Sequence, residues 1–467
     1  MARFLALSLI FALACGDDDS TSDDTLDAGP TDGGPRDQGP PDGGACSQAP
    51  TVTPDDPPDA GPAAPAPTED CGEPTFTDDT VLRRWPYLQS VSPTTAKVIW
   101  TTTGGGEGSV RIRAAGDTEW TTVVADAELF DTVRTEDEVD YSAYLAELTG
   151  LSPSSAYCYE VLEDGETLAS NLTLRTGWVG AGADEGSRPL RIIAFGDSGN
   201  GSPEQAGVRD VFMEDDYDLF LHLGDMAYGD GTFVEFETNM FQVYRDFLHR
   251  VPSWPTIGNH EFKTDSGQPY RDVYYLPEQA FREEEQEYYY SFDQGNVHFV
   301  SVDSNEARII PIALDTADRF DDDMIDWLAA DLAASDAEWK IAIFHHPPYS
   351  SSSRSPNGTV RAQILPVLEA GGVDLVLVGH DHHYERTHPM LGGCIAPDPL
   401  SGITYVVAGA GGAGLRGDVN DQWWAASSND EKHSFFRMTI HGCALRGEAV
   451  TIDGDIIDQI TLDGCDP

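Results

Sequence analysis

Four short apolar runs, at residues 190–195, 218–223, 339–344 and 373–378, constrain this chain more than any other feature. Near-continuous apolar strands of this length suit sheets covered on both faces. Each run ends in chemistry-bearing residues: GDSG at 196–199, GDMAY at 224–228, FHHPPY at 344–349 and GHDHHYER at 379–386, with GNHE at 258–261 between them. In open α/β sheets the functional groups gather just past the carboxyl ends of the strands, so these blocks are expected to converge. Together they supply seven donors of the kind two close cations need: Asp197, Asp225, Tyr228, Asn259, His345, His380 and His382. Carboxylate and phenolate oxygens hold a hard or trivalent ion and imidazoles suit iron, zinc or manganese. One carboxylate can bridge two ions ~3.5–4 Å apart. A glycine beside a donor lets the backbone turn sharply toward such a centre.

The order Asp, Asp-x-x-Tyr, Asn-His, His, His-x-His resembles the metallophosphoesterase superfamily, and Tyr228 narrows the resemblance to the purple acid phosphatases. The resemblance implies an α/β metallophosphoesterase fold, a mixed β-sheet sandwich flanked by helices. Position by position, it assigns Asp197, Tyr228 and His382 to an Fe(III) site and Asn259, His345 and His380 to a divalent site (Fe, Zn or Mn), with Asp225 bridging. His260 matches the family's substrate-contacting histidine, expected to bind phosphate or protonate the leaving oxygen. Many plant-type members carry a further histidine pair beyond the position of His345. Here residues 350–358 read SSSSRSPNG, so the general acid stays open. His346 and Arg354 are further substrate-contact candidates; the alternatives are that His346 supports His345 and that Arg354 is solvated.

The first 15 residues hold one basic residue and a short apolar run, too short to span a bilayer. They resemble a bacterial lipoprotein signal with Cys15 as the lipidated residue; a plain secretory signal is the alternative. Residues 16–78, rich in Asp, Gly and Pro, cannot bury enough surface to fold and read as a disordered acidic linker. The formal net charge of -54 repels nucleic acid and anionic headgroups, so neither is an expected partner and membrane contact runs through the lipid alone. Seven cysteines fit an exported protein, in the cell envelope or secreted: with Cys15 lipidated, six remain for three disulfides.

Residues 79–178 alternate as short strands split by Gly, Pro and Asp turns, which predicts an all-β sandwich. Trp100, the turn at 148–153 and Tyr157 resemble a fibronectin type III module, expected to support the catalytic domain. Residues 188–467 form that domain. Ser202-Pro203 is expected to open a helix, 320–332 to form another, and 288–303 to form a hairpin around Asp293-Gln-Gly-Asn296. The glycine run at 409–414 lacks the following helix of a dinucleotide loop and reads as a close-packed turn.

The function these features imply is hydrolysis of phosphate monoesters, of acid phosphatase type, by hydroxide activated on two metal ions. No covalent phosphoenzyme is required. Phosphodiester or nucleotide hydrolysis on the same centre is the alternative. A non-catalytic surface binding protein is the third reading, which retention of all seven donors opposes.

Overall fold

The computed structural model describes residues 71–178, 188–305, 322–353, 356–398 and 400–464. Cys15, Arg354, the signal segment and nearly all of the acidic linker lie outside them.

Two sheets build the N-terminal sandwich. One holds Leu82–Gln89, Thr95–Thr102, Tyr141–Thr149 and Asp126–Phe130; the other holds Thr75–Phe76, Glu166–Arg175, Ala156–Glu163, Gly108–Ala114 and Thr121–Val124. Their facing side chains, among them Leu82, Trp100, Val110, Tyr144 and Leu172, form a core of their own. The Tyr157 hydroxyl accepts the Ser152 amide at 2.8 Å and so pins the turn that the sequence marks at 148–153. The sandwich starts earlier than residue 79. Thr75–Phe76 pairs with Glu166–Arg175, and Cys71 is bonded to Cys158, so the last residues assigned to the linker belong to this domain. Strand pairing and a covalent closure outweigh their polar composition.

The catalytic domain carries a six-stranded and a seven-stranded sheet. In the first, Leu190–Phe195, Leu219–His222 and Ser253–Pro255 are parallel, and Ser434–His441, Ala444–Thr451 and Ile456–Asp463 continue it antiparallel. In the second, Val297–Ser301, Trp339–Ile343, Leu375–Val378 and Thr404–Ala408 run parallel, and antiparallel strands flank them. All four apolar runs singled out in the sequence are therefore interior strands, and side chains from both sheets share one core. Ser202 caps the Pro203–Phe212 helix by accepting the Gln205 amide at 3.0 Å, and the second helix spans Asp322–Ala334. The hairpin pairs Tyr290–Gln294 with Val297–Ser301.

The sandwich is joined to the catalytic domain by buried polar contacts. Arg84 pairs with Glu237 at 2.9 Å, both almost fully covered. The Tyr87 hydroxyl donates to Val273 O at 2.7 Å and the Tyr159 hydroxyl to His249 O at 2.6 Å. Single truncations at such a buried pair leave an uncompensated charge, so Arg84 and Glu237 act as a fixed coupling between the two domains.

His298 fastens the hairpin to the Asp322–Ala334 helix, its two nitrogens lying 2.7 Å from Asp293 Oδ1 and 2.8 Å from Asp331 Oδ2. Burial opposes its charge, but hydrogen bonds to both carboxylates prevail and push it up to about 9. A raised histidine stabilises fully below its unfolded value of about 6.5 and loses that contribution as pH climbs through the folded one. Denaturant unfolding should therefore show the native protein losing about 1–2 kcal/mol more than His298→Gln between pH ~6 and ~9.5, a figure discounted because one partner is solvated. Parallel pH profiles would remove this role.

Candidate metal centre

Each donor block leaves the end of a strand. Asp197 follows Leu190–Phe195, Asp225 and Tyr228 follow Leu219–His222, Asn259 follows Ser253–Pro255, His345 follows Trp339–Ile343, and His380 and His382 follow Leu375–Val378. Asp197, Asp225 and His380 take left-handed backbone, with φ of 56°, 54° and 70°. Non-glycine residues there cost about 1–3 kcal/mol each and persist where surrounding contacts hold them, often at functional sites. Two glycines are required by close approach: a Cβ on Gly224 would meet His345 Nδ1 at 2.5 Å, and one on Gly258 would meet Asp225 Oδ1 at 2.2 Å.

The structure brings all seven donors together. The Tyr228 hydroxyl lies 3.1 Å from Asp197 Oδ1 and 3.2 Å from His382 Nε2. Across the cluster, Asn259 Oδ1 is 3.1 Å from His345 Nε2 and 2.9 Å from His380 Nδ1. Asp225 Oδ2 lies 3.2 Å from His345 Nε2, and oxygens of Asp197 and Asp225 with a nitrogen of His345 all fall within 4.8 Å of one another.

Tautomers follow from the outer hydrogen bonds. His345 Nδ1 donates to Leu223 O and His382 Nδ1 to Gly414 O, each at 2.8 Å, which leaves both Nε2 atoms to present lone pairs inward. His345 Nε2 and His380 Nδ1 stand only 3.2 Å apart. Lone pairs crowded this closely beside carboxylates suit shared cations. Burial, with Asp225 adding to it, raises the Asp197 carboxyl. Burial and both carboxylates push the Tyr228 phenol well above its usual value, so a strong local positive charge is needed to ionise it. The donor set thus fits hard and borderline cations.

His260 packs against Tyr228, with ring centroids 4.2 Å apart and the ring planes tilted by 52°. Its Nδ1 lies 2.6 Å from Gly229 O and its Nε2 3.9 Å from Asp225 Oδ2, which turns the ring toward the carboxylate. His346 stands at the edge of the cluster, 4.6 Å from the His380 ring, with Nδ1 2.9 Å from Ser304 Oγ. The glycine run is the expected close-packed turn: a Cβ on Gly411 would meet Gly196 O at 2.4 Å.

Sequence reasoning gave no role to three residues that shape this site. Glu261 is fully buried, and its carboxylate accepts the amides of Asp225, Met226, Ala227 and Gly258 at 2.8–2.9 Å. The signal for it was an acid inside GNHE. Ser304 Oγ accepts the His345 and His346 amides at 3.2 and 3.0 Å, and Arg416 Nη2 lies 3.2 Å from His382 Nε2. Neither sits in a recognisable motif.

Residues 190–384 match the family model for calcineurin-like phosphoesterases, so this part of the chain is a calcineurin-like phosphoesterase domain. Within that class it is purple acid phosphatase-like, with an N-terminal β-sandwich ahead of the catalytic domain. It is 29% identical to purple acid phosphatase 18 of Arabidopsis thaliana, over 48% of this chain and 50% of that one. It is 26% identical to a nucleotide pyrophosphatase/phosphodiesterase of Hordeum vulgare, over 58% of this chain and 82% of that one. The structure of the yellow lupin purple acid phosphatase PPD1 shares its fold, with a TM-score of 0.69 and 20% identity over 82% of this chain and 75% of that one. The chain spans about half the length of the first curated relatives it matches.

Proposed function

We propose that this protein hydrolyses phosphate monoesters at a dinuclear centre formed by Asp197, Tyr228 and His382 on an Fe(III) side, Asn259, His345 and His380 on a divalent side, and Asp225 between them. The observation that carries this reading is the convergence of seven buried or half-buried donors in two groups around Asp225. Two cations, when bound, supply charge that neutralises the phosphoryl oxygens and activate water. The chain's own part is orientation. Outer hydrogen bonds from His345 and His382 set which nitrogen faces inward. His260, whose Nε2 is turned toward Asp225, contacts the phosphoryl group or the leaving oxygen, and His346, its ring 4.6 Å from that of His380, holds a substrate oxygen. Arg354 remains a candidate on sequence grounds alone.

Phosphodiester or nucleotide hydrolysis is the second reading, favoured by the similarity to the barley pyrophosphatase/phosphodiesterase. Phosphate release from a panel of monoesters and diesters, with metal analysis of protein purified without chelator, separates the two. No release from either class would leave the non-catalytic reading.

The iron assignment has its own test. A phenolate on Fe(III) gives a visible charge-transfer band, so oxidised iron-loaded protein should be coloured and Tyr228→Phe should bleach it with Asp197, Asp225 and His382 still in place. Colourless protein containing both metals would reject the tyrosinate and point to two divalent ions.

Export is supported by the Cys71–Cys158 bond and by Cys394 and Cys443, which are also disulfide-bonded. Among the described residues no helix is long and apolar enough to cross a membrane. Lipid attachment at Cys15 is a proposal from sequence.

A further inference from the structure

The segment after the Thr404–Ala408 strand is fastened to the centre ahead of Arg416 and to Ser351 and Ser353 behind it. Ahead of it, Ala413 N donates to Asp197 O and Gly414 O accepts from His382 Nδ1, each at 2.8 Å. Behind it, Asp418 accepts the Ser353 hydroxyl and Asn420 N donates to Ser351 O at 2.9 Å. Held between these ties, the half-buried Arg416 brings Nη2 to 3.2 Å from His382 Nε2.

We propose that Arg416 is a substrate-contacting residue whose guanidinium binds phosphoryl oxygens of the phosphoester on the Asp197–Tyr228–His382 side of the centre; this rests on the phosphoesterase reading above. A guanidinium has donors and no acceptor. The His382 Nε2 lone pair faces Asp197 and Tyr228, 3.5 Å from Asp197 Oδ1. Once that lone pair holds a cation it can no longer accept from Arg416, and the guanidinium then stands beside that cation, where an anion can contact both positive charges. A phosphoryl group brings several oxygens in a geometry that the planar fork of arginine matches in pairs, which the point charge of lysine does not.

Two further observations favour this role. A chain with a net charge of -54 repels phosphate at long range, so binding requires cations at the site itself. The neighbouring Ser350–Ser352 stretch lacks histidine and is buried, with the Ser350 hydroxyl on Asp381 and the Ser351 amide on Glu385. It therefore gives Asn420, behind Arg416, a fixed anchor at Ser351 O.

The test uses the metal-loaded full chain, with inorganic phosphate titrated by calorimetry, metal content measured on the same samples, and KM determined for a monoester such as p-nitrophenyl phosphate. Arg416→Ala should weaken phosphate binding and raise KM by roughly 10- to 100-fold, the range expected for losing charge-assisted hydrogen bonds, with both metals retained. Arg416→Lys should recover only part of the affinity. Phosphate affinity of the alanine variant within about twofold of the native protein would overturn the assignment. So would a loss that merely follows loss of metal, since Arg416 would then only support His382. If the native protein binds phosphate in an Arg416-dependent way but turns over no ester, the contact stands and the hydrolytic reading falls.

Discussion

Asp225→Ala is expected to release at least one metal ion and to lower phosphoester turnover by about 10³-fold or more, the equivalent of ~4 kcal/mol in the barrier. Asp225 lies between the two donor groups, is 2% exposed, and sets an oxygen 3.2 Å from His345 Nε2. Its other oxygen accepts the His260 amide at 3.0 Å, so truncation also frees the residue expected to meet substrate. Alanine leaves crowded imidazole lone pairs with too little negative charge to hold two cations. The sandwich has a separate core around Trp100, Tyr144 and Leu172 and should stay folded. Elemental analysis, phosphate-release assays and near-ultraviolet dichroism check the three parts. Native metal stoichiometry with normal rates would refute the bridging role.

Glu261→Gln should destabilise the protein by about 3 kcal/mol or more and loosen metal retention, although no substrate or metal contact is assigned to this side chain. Oε2 accepts the Asp225 and Gly258 amides and Oε1 those of Met226 and Ala227, which ties together the loops that carry Asp225, Tyr228 and Asn259. A glutamine has nearly the same shape, but one oxygen becomes an NH2 group facing two buried amide donors. Those amides lose their acceptor where no water reaches, since Glu261 is wholly covered. Urea unfolding and competition with a chelator measure the two effects. Stability within about 0.5 kcal/mol of the native protein, with unchanged metal retention, would show that the four amides find other acceptors.

The fold was legible where local pattern carried it. Apolar runs at 190–195 and 373–378 became interior parallel strands because a strand buried on both faces has no polar alternation to keep. The Ser202 cap and the 288–303 hairpin were readable because capping and turn chemistry act within a few residues. The start of the sandwich was misplaced because Thr75–Phe76 is held by the distant Glu166–Arg175 strand and Cys71 by Cys158, contacts that polar composition does not announce.

The sequence by itself determined the kinds of donor atom, their order along the chain and their arrival at strand ends, since these follow from residue type and from periods of two or a few residues. Tertiary structure alone decided which imidazole nitrogen faces inward, that Glu261 gathers four amides, that Arg416 reaches His382, and that Arg84 meets Glu237 across the two domains. Those outcomes depend on distances of a few ångströms between groups far apart in the chain. A hydrogen bond or ion pair is made or lost over about 1 Å, and residue spacing carries no record of such distances.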